Sequence, residues 1–77
     1  MQKSYNKGQL LLDPEGVIGI ITLVKDKHNL NKFDGWPPSW NYMVLWYDDY
    51  LEERAMALYH IDEFASNFQE KMEQTDE

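Results

Sequence analysis

Two stretches carry the clearest pattern of apolar and polar positions. Gly16-Val17-Ile18-Gly19-Ile20-Ile21-Thr22-Leu23-Val24-Lys25 is apolar at nearly every position and dense in β-branched residues. Trp40-Asn41-Tyr42-Met43-Val44-Leu45-Trp46-Tyr47 is rich in aromatic residues and alternates well. Turn formers bracket both, and this composition suits strands. A shorter apolar run, Gln9-Leu10-Leu11-Leu12, precedes them. Asp13-Pro14-Glu15-Gly16 separates it from the first long run. Proline presets φ at the second turn position and glycine frees the fourth, so a hairpin or tight corner is predicted there. The pattern therefore predicts β structure across 9–24 and 40–47.

In the second strand, Val17, Ile21 and Leu23 share one face with Gly19. Ile18, Ile20 and Val24 share the other with Thr22. Both faces are apolar, which predicts cover on both sides. Gly19 has no side chain to pack and marks the place for a bulge or sharp bend. In the third strand Trp40, Tyr42, Val44 and Trp46 face one way, and Asn41, Met43, Leu45 and Tyr47 the other. Ile21 and Val44 are the expected centre of the core. Residues 26–39 read as a long loop, with Asp34-Gly35 and Pro37-Pro38 as breakers. A loop of that length in a compact domain is often functional.

Residues 53–60 carry two patterns. Glu53, Arg54, Ala55, Met56 and Leu58 favour helix by propensity. Alternation instead sets Met56, Leu58 and His60 opposite Ala55, Ala57 and Tyr59. The third strand needs an antiparallel partner, and this decides for strand. The period then changes: Ile61, Phe64, Ala65, Phe68 and Met72 form one face of an amphipathic helix over about 62–72. Asp62 is its expected N-cap.

The order of these features resembles a known pattern: Gly8-x-Leu10-x-Leu12, a Pro14-Glu15-Gly16 corner, Gly16-Val17-Ile18-Gly19-Ile20-Ile21, a loop, and Tyr42-x-Val44-x-Trp46. It is similar to the small SH3-like barrel proteins of tailed bacteriophages of the marine cyanophage type. The likeness covers roughly residues 8–61. Gln9-Leu10-Leu11 departs from the family's Asp-Leu-Val entry, and a minimal barrel has no need of the C-terminal helix. The resemblance implies an all-β core: a small, partly open SH3-like barrel of four to five antiparallel strands with a C-terminal α-helix. It implies little about activity, since one small barrel hosts many unrelated tasks.

At 77 residues the chain has room for one domain, expected over 8–77, with 1–7 frayed. A domain this short buries only about 60% of its unfolded surface. It has no cysteine, which excludes disulfides, a thiol nucleophile and thiolate metal ligands. Dense aromatic packing or self-association is then the route to stability. The opening residues lack the apolar stretch of a signal peptide, and no run is long enough to span a membrane. A cytoplasmic or virion location is the expectation.

Charge changes the picture further. The net charge is −7. Residues 1–47 carry five Lys against Asp13, Glu15, Asp26 and Asp34, whereas residues 48–77 carry ten acids against Arg54 and Lys71. That second half repels phosphate backbones.

Little catalytic chemistry is legible. His60 with Asp62 and Glu63 is the nearest approach to a metal set, and a structural histidine is the plainer reading. Asp48, Asp49, Glu52 and Glu53 form an acidic patch that reads as a solvated turn, without the spacing of a calcium loop. There is no glycine-rich phosphate loop and no context for a nucleophilic serine. Neither catalysis nor a cofactor nor a metal is expected. The best binding candidates are aromatic: Phe33, Trp36, Pro37, Pro38, Trp40, Tyr47 and Tyr50. Such residues on SH3-type barrels form grooves for extended, proline-rich peptides, although the same rings could pin the loop as a satellite core. The expectation is a non-catalytic interaction or assembly module with a protein partner. The alternative is an acidic accessory factor that binds a basic component of replication or transcription machinery.

One consequence is directly measurable. Labelled DNA and RNA should show no sub-micromolar binding at about 150 mM salt, because one Arg and an acidic half leave few phosphate contacts. Sub-micromolar affinity in a fluorescence-anisotropy titration would contradict this reading.

Overall fold

The computed structural model describes residues 4–73. Four strands form one antiparallel sheet in the order β1 (Leu10–Leu12), β2 (Ile18–Val24), β3 (Tyr42–Trp46) and β4 (Glu53–Met56). A single α-helix, α1 (Leu58–Glu73), follows. Each strand pairs with the next along the chain, so β1 and β4 are the edges of an open sheet. The 13–16 corner forms as its residues dictate. Asp13 Oδ1 accepts the amides of Glu15 (2.9 Å) and Val17 (2.8 Å), and Gly16 takes φ +91°.

One core lies between sheet and helix. Leu11, Ile21, Tyr42, Val44 and Trp46 project from the sheet onto Ile61 and Ala65 of α1. Ile21 and Val44 are fully buried, as expected of them. The Trp46 indole meets the Phe64 ring edge-on at 5.6 Å, and the Arg54 guanidinium lies 5.8 Å from the centre of the Trp46 ring. Asn67 donates its side-chain amide to the Leu12 carbonyl at 3.3 Å, which ties α1 to the β1 edge. A second, smaller core lies on the other face of the sheet. There Phe33, from a 3₁₀ helix at Leu30–Phe33 within the long loop, covers Met43 and Ala55, with Leu23 and Trp40 around them.

The bulge falls at Thr22 and not at Gly19. Ile21 pairs with Val44 and Leu23 with Met43, which leaves Thr22 as the extra residue. Its hydroxyl donates to the Met43 carbonyl (3.2 Å) and to Glu53 Oε2 (3.0 Å). The extra residue reverses the faces beyond it. Val24 joins Ile21 toward the helix, and Leu23 leaves it for the second core. Gly19 keeps regular pairing because its task is a close approach. A Cβ there would lie 2.7 Å from Trp46 Cε3 and 2.9 Å from Val44 Cγ1.

The strand expected over 53–60 stops at Met56, and Leu58, Tyr59 and His60 are helical. Asp62 is therefore inside the helix and does not cap it. The first turn is closed instead by His60, whose Nδ1 accepts the Ala57 amide at 3.2 Å. That bond is one half of a capping box, with imidazole in place of carboxylate. Leu58 packs against the first core, so burial and helical propensity act together. Of the segment expected to fray, residues 1–3 lie outside the described residues. Tyr5 is tied down, its hydroxyl donating to Asp62 Oδ1 at 2.7 Å and its ring meeting Tyr42 edge-on.

The β3–β4 connection carries backbone strain. Leu51 takes φ +49° just after a turn in which its amide donates to the Asp48 carbonyl. Glycine is the usual occupant of that left-handed position. Two substitutions should then act in opposite directions. Gly19→Ala should destabilise by about 1–3 kcal/mol, because Trp46 and Val44 are fully buried and have no room to move. Leu51→Gly should stabilise by about 0.5–1 kcal/mol, by relieving a left-handed conformation that costs a non-glycine residue roughly 1–2 kcal/mol. Urea melts of both variants check the two signs.

Candidate interaction site

The long loop and the helix start meet at one end of the sheet. Trp40 enters β3, and Ala57 and His60 follow β4 directly. The Tyr42–Met56 pairing puts these segments side by side. Trp36 stacks on Trp40 with ring centres 5.8 Å apart and planes 25° apart. Trp40 meets the His60 ring edge-on at 5.5 Å. The His60 ring in turn lies 4.2 Å from that of Tyr59. Four aromatic rings thus run in unbroken contact from the loop to α1. The two outer members are open: Trp36 is 37% and Tyr59 68% exposed.

Hydrogen bonds hold the loop that presents this strip. The Trp36 amide donates to the Phe33 carbonyl (3.2 Å) and the Trp40 amide to the Pro37 carbonyl (3.0 Å). Lys25 Nζ donates to the Pro38 carbonyl at 3.0 Å and lies 5.4 Å from the centre of the Phe33 ring. At the start of the loop Asn29 accepts the Asp26 amide and donates to the Val24 carbonyl. The prolines and these contacts preorganise the strip, which lowers the ordering cost of binding.

The structure divides the aromatic residues singled out from the sequence. Trp36, Pro37 and Trp40 belong together, with Pro37 and Pro38 exposed beside the rings. Phe33 is buried and serves as the plug of the second core. Tyr47 and Tyr50 lie beyond the opposite end of β3, Tyr50 in the turn with 86% of its surface open. The acidic residues Asp48, Asp49, Glu52 and Glu53 occupy that same turn region. Asp48 Oδ1 accepts the Tyr50 amide at 2.9 Å, and Glu53 accepts from Thr22. Tyr59 and His60 were not legible as members of this aromatic strip, because strand alternation sends them to opposite faces. The signal that would have joined them is Leu58, which sits three residues before Ile61 and extends the helical period backward.

No set of three His, Asp or Glu side chains among the described residues comes together as metal ligands. His60 has Nδ1 committed to the Ala57 amide. A hollow of about 340 Å³ between the 13–16 corner and α1 is lined by Asp13, Pro14, Glu15, Trp46, Arg54 and Phe64, among others. Of these lining residues, Trp46 Nε1 and Arg54 Nε are buried without hydrogen-bond partners. No described helix is long and apolar enough to cross a membrane. No protein-family model matches the chain, and neither a curated protein nor a solved structure does.

Proposed function

We propose that this protein is a non-catalytic interaction module that receives an extended, proline-containing segment of a partner protein along Trp36, Trp40, His60 and Tyr59. The carrying observation is the continuous row of rings with exposed ends. A polyproline II segment has its backbone fully solvated and offers ring edges at a regular rise. It needs a row of aromatic surfaces and few directional bonds, and that is what the strip provides. The sequence likeness to SH3-like barrels of tailed phages suits this reading, and within it the chain would act as an assembly component of such a particle. The four-strand antiparallel meander supports that likeness only at the level of a small β-rich fold.

A second reading is favoured by a separate observation. Asp49, Glu52 and Glu53 in the turn, and Glu63, Glu70 and Glu73 on α1, are all exposed. A basic protein segment would find these carboxylates exposed, with only Arg54 and Lys71 as basic residues in the same half of the chain, in the manner of an acidic accessory factor.

One titration separates the readings. Uniformly labelled protein is titrated with proline-rich peptides and, separately, with lysine-rich peptides, and the amide and indole N–H signals are followed. The first reading expects the Trp36 and Trp40 indole signals to move with proline-rich peptides. Trp36→Ala should then weaken binding by about 30-fold or more, the effect of losing a hot-spot tryptophan. Its melting temperature should fall by no more than about 4–8 °C, because only the stack on Trp40 is lost. Unmoved indole signals, or a Trp36→Ala variant that no longer folds, would refute the groove. Shifts confined to the turn and α1 with lysine-rich peptides would transfer the function to the acidic surface.

A further inference from the structure

Arg54 is the only arginine in a chain that carries 14 acidic residues. It sits on β4 opposite Val44 of β3, half-buried beside the Trp46 ring. Yet its guanidinium makes no hydrogen bond and no ion pair with any described residue. Its Nε is buried without a partner, and so is Nε1 of Trp46, a residue only 1% exposed. An unpaired buried donor costs a folded protein stability, and native structures hold few of them. Here two lie on adjacent strands, and both residues line the hollow between the 13–16 corner and α1.

The carboxylates of the same hollow leave these donors unanswered. Asp13 and Glu15 line it without pairing to Arg54. Oδ1 of Asp13 is taken by the amides of Glu15 and Val17, and Glu15 is exposed at the corner. The other walls are apolar, from Pro14, Met56 and Phe64. At about 340 Å³ the hollow falls within the roughly 300–1,000 Å³ of small-molecule sites.

We infer that this hollow binds a small zwitterion of the α-amino acid class with an apolar side chain. The carboxylate goes to Arg54, the ammonium to Asp13 and Glu15, and the side chain against Pro14, Met56 and Phe64. The donors select the carboxylate, because a guanidinium presents its N–H groups in a planar fork that matches two oxygens. The sign of the lining selects the ammonium. Two carboxylates against one guanidinium leave the hollow negative, in a chain of net charge −7, so a simple anion is opposed there. A simple cation would leave Arg54 and the indole as unpaired as before. A zwitterion answers both signs at once. None of Trp36, Trp40, His60 and Tyr59 lines this hollow, so the inference stands or falls independently of the peptide-groove reading.

The test titrates the uniformly labelled full chain with L-leucine, L-methionine and L-phenylalanine, each to about 10 mM, and follows the indole N–H signals. With at least one of them the Trp46 signal should move to saturation, with a Kd at or below about 1 mM, while those of Trp36 and Trp40 stay in place. The N-acetyl form of the tightest binder lacks the ammonium, and its amide lacks the carboxylate. Each should bind about tenfold more weakly or worse. Arg54→Gln should weaken the amino acid to a similar degree. Glu15→Gln should weaken the amino acid and leave its N-acetyl form unchanged or tighter, since the charge opposing an anion is gone. An arginine kept for a ligand adds little to the empty fold, so Arg54→Gln should melt within about 4–8 °C of the parent. Should that variant fail to fold, the N-acetyl and amide arms on the parent chain still decide. An unmoved Trp46 signal at about 10 mM of all three amino acids leaves water as the occupant and overturns the inference. So does an N-acetyl form or an amide that binds as well as the amino acid, or a folded Arg54→Gln that binds undiminished.

Discussion

The indole of Trp46 rests on a residue with no side chain, and most of the structure is arranged around that contact. Gly19 on β2 leaves the space that the six-membered ring of Trp46 fills from β3, with Val44 beside it. Any Cβ at position 19 would overlap both. The seated ring then makes a near-perpendicular contact with Phe64 of α1 and turns one face to the guanidinium of Arg54 on β4. A single side chain thus links three strands to the helix. In a chain too short for a deep core, a buried aromatic of this size is the largest contribution available, roughly 150–250 Å² of buried surface. That gain exists only while the strand beneath it stays bare.

A second constraint follows from the bulge at Thr22. Parity along β2 reverses there, so Val24 serves the helix side while Leu23 serves the loop side. The bulge divides the outer face into two regions. Beyond it, Leu23, Met43 and Ala55 receive Phe33 and are buried with it. Before it, Leu10, Ile20, Leu45, Leu12, Ile18 and Tyr47 lie outside both cores. The long loop is thus a plug for half a sheet face, and its tryptophans are carried along to the sheet end. There they meet the first turn of α1 and extend into the aromatic strip. Core formation and presentation of the strip are consequences of the same docking of Phe33.

Several features were legible because they depend on neighbours in the chain. The 13–16 corner follows from Pro14, Gly16 and the carboxylate of Asp13. Alternation separates Tyr42, Val44 and Trp46 from Met43 and Leu45 correctly, since the strand is regular over 42–46, but Trp40, expected on the face of Tyr42, precedes the strand and packs with the second core. The helical face of Ile61, Ala65 and Phe68 is likewise local. Three things were not legible. Thr22 gives no composition signal for a bulge, and Gly19 attracts that reading while serving another purpose. The start of α1 was misplaced because strand pairing and helical period compete over 53–60. Pairing wins through Met56 and burial of Leu58 wins afterward. The loop aromatics could be assigned to core or surface only when Phe33 was seen to face inward.

What the sequence determined by itself is the set of elements and their amphipathic faces: strands, the corner, the helix and the uneven charge. These rest on backbone propensity and on periodicity, both of which act over a few residues. What tertiary structure decided is which faces meet. Whether Gly19 bends or accommodates, where β2 changes parity, and which ring of the loop is buried all depend on contacts between residues far apart in sequence. Those contacts are set by the volume of Trp46 and Phe33 against the sheet, and a volume has no location until the chain is folded.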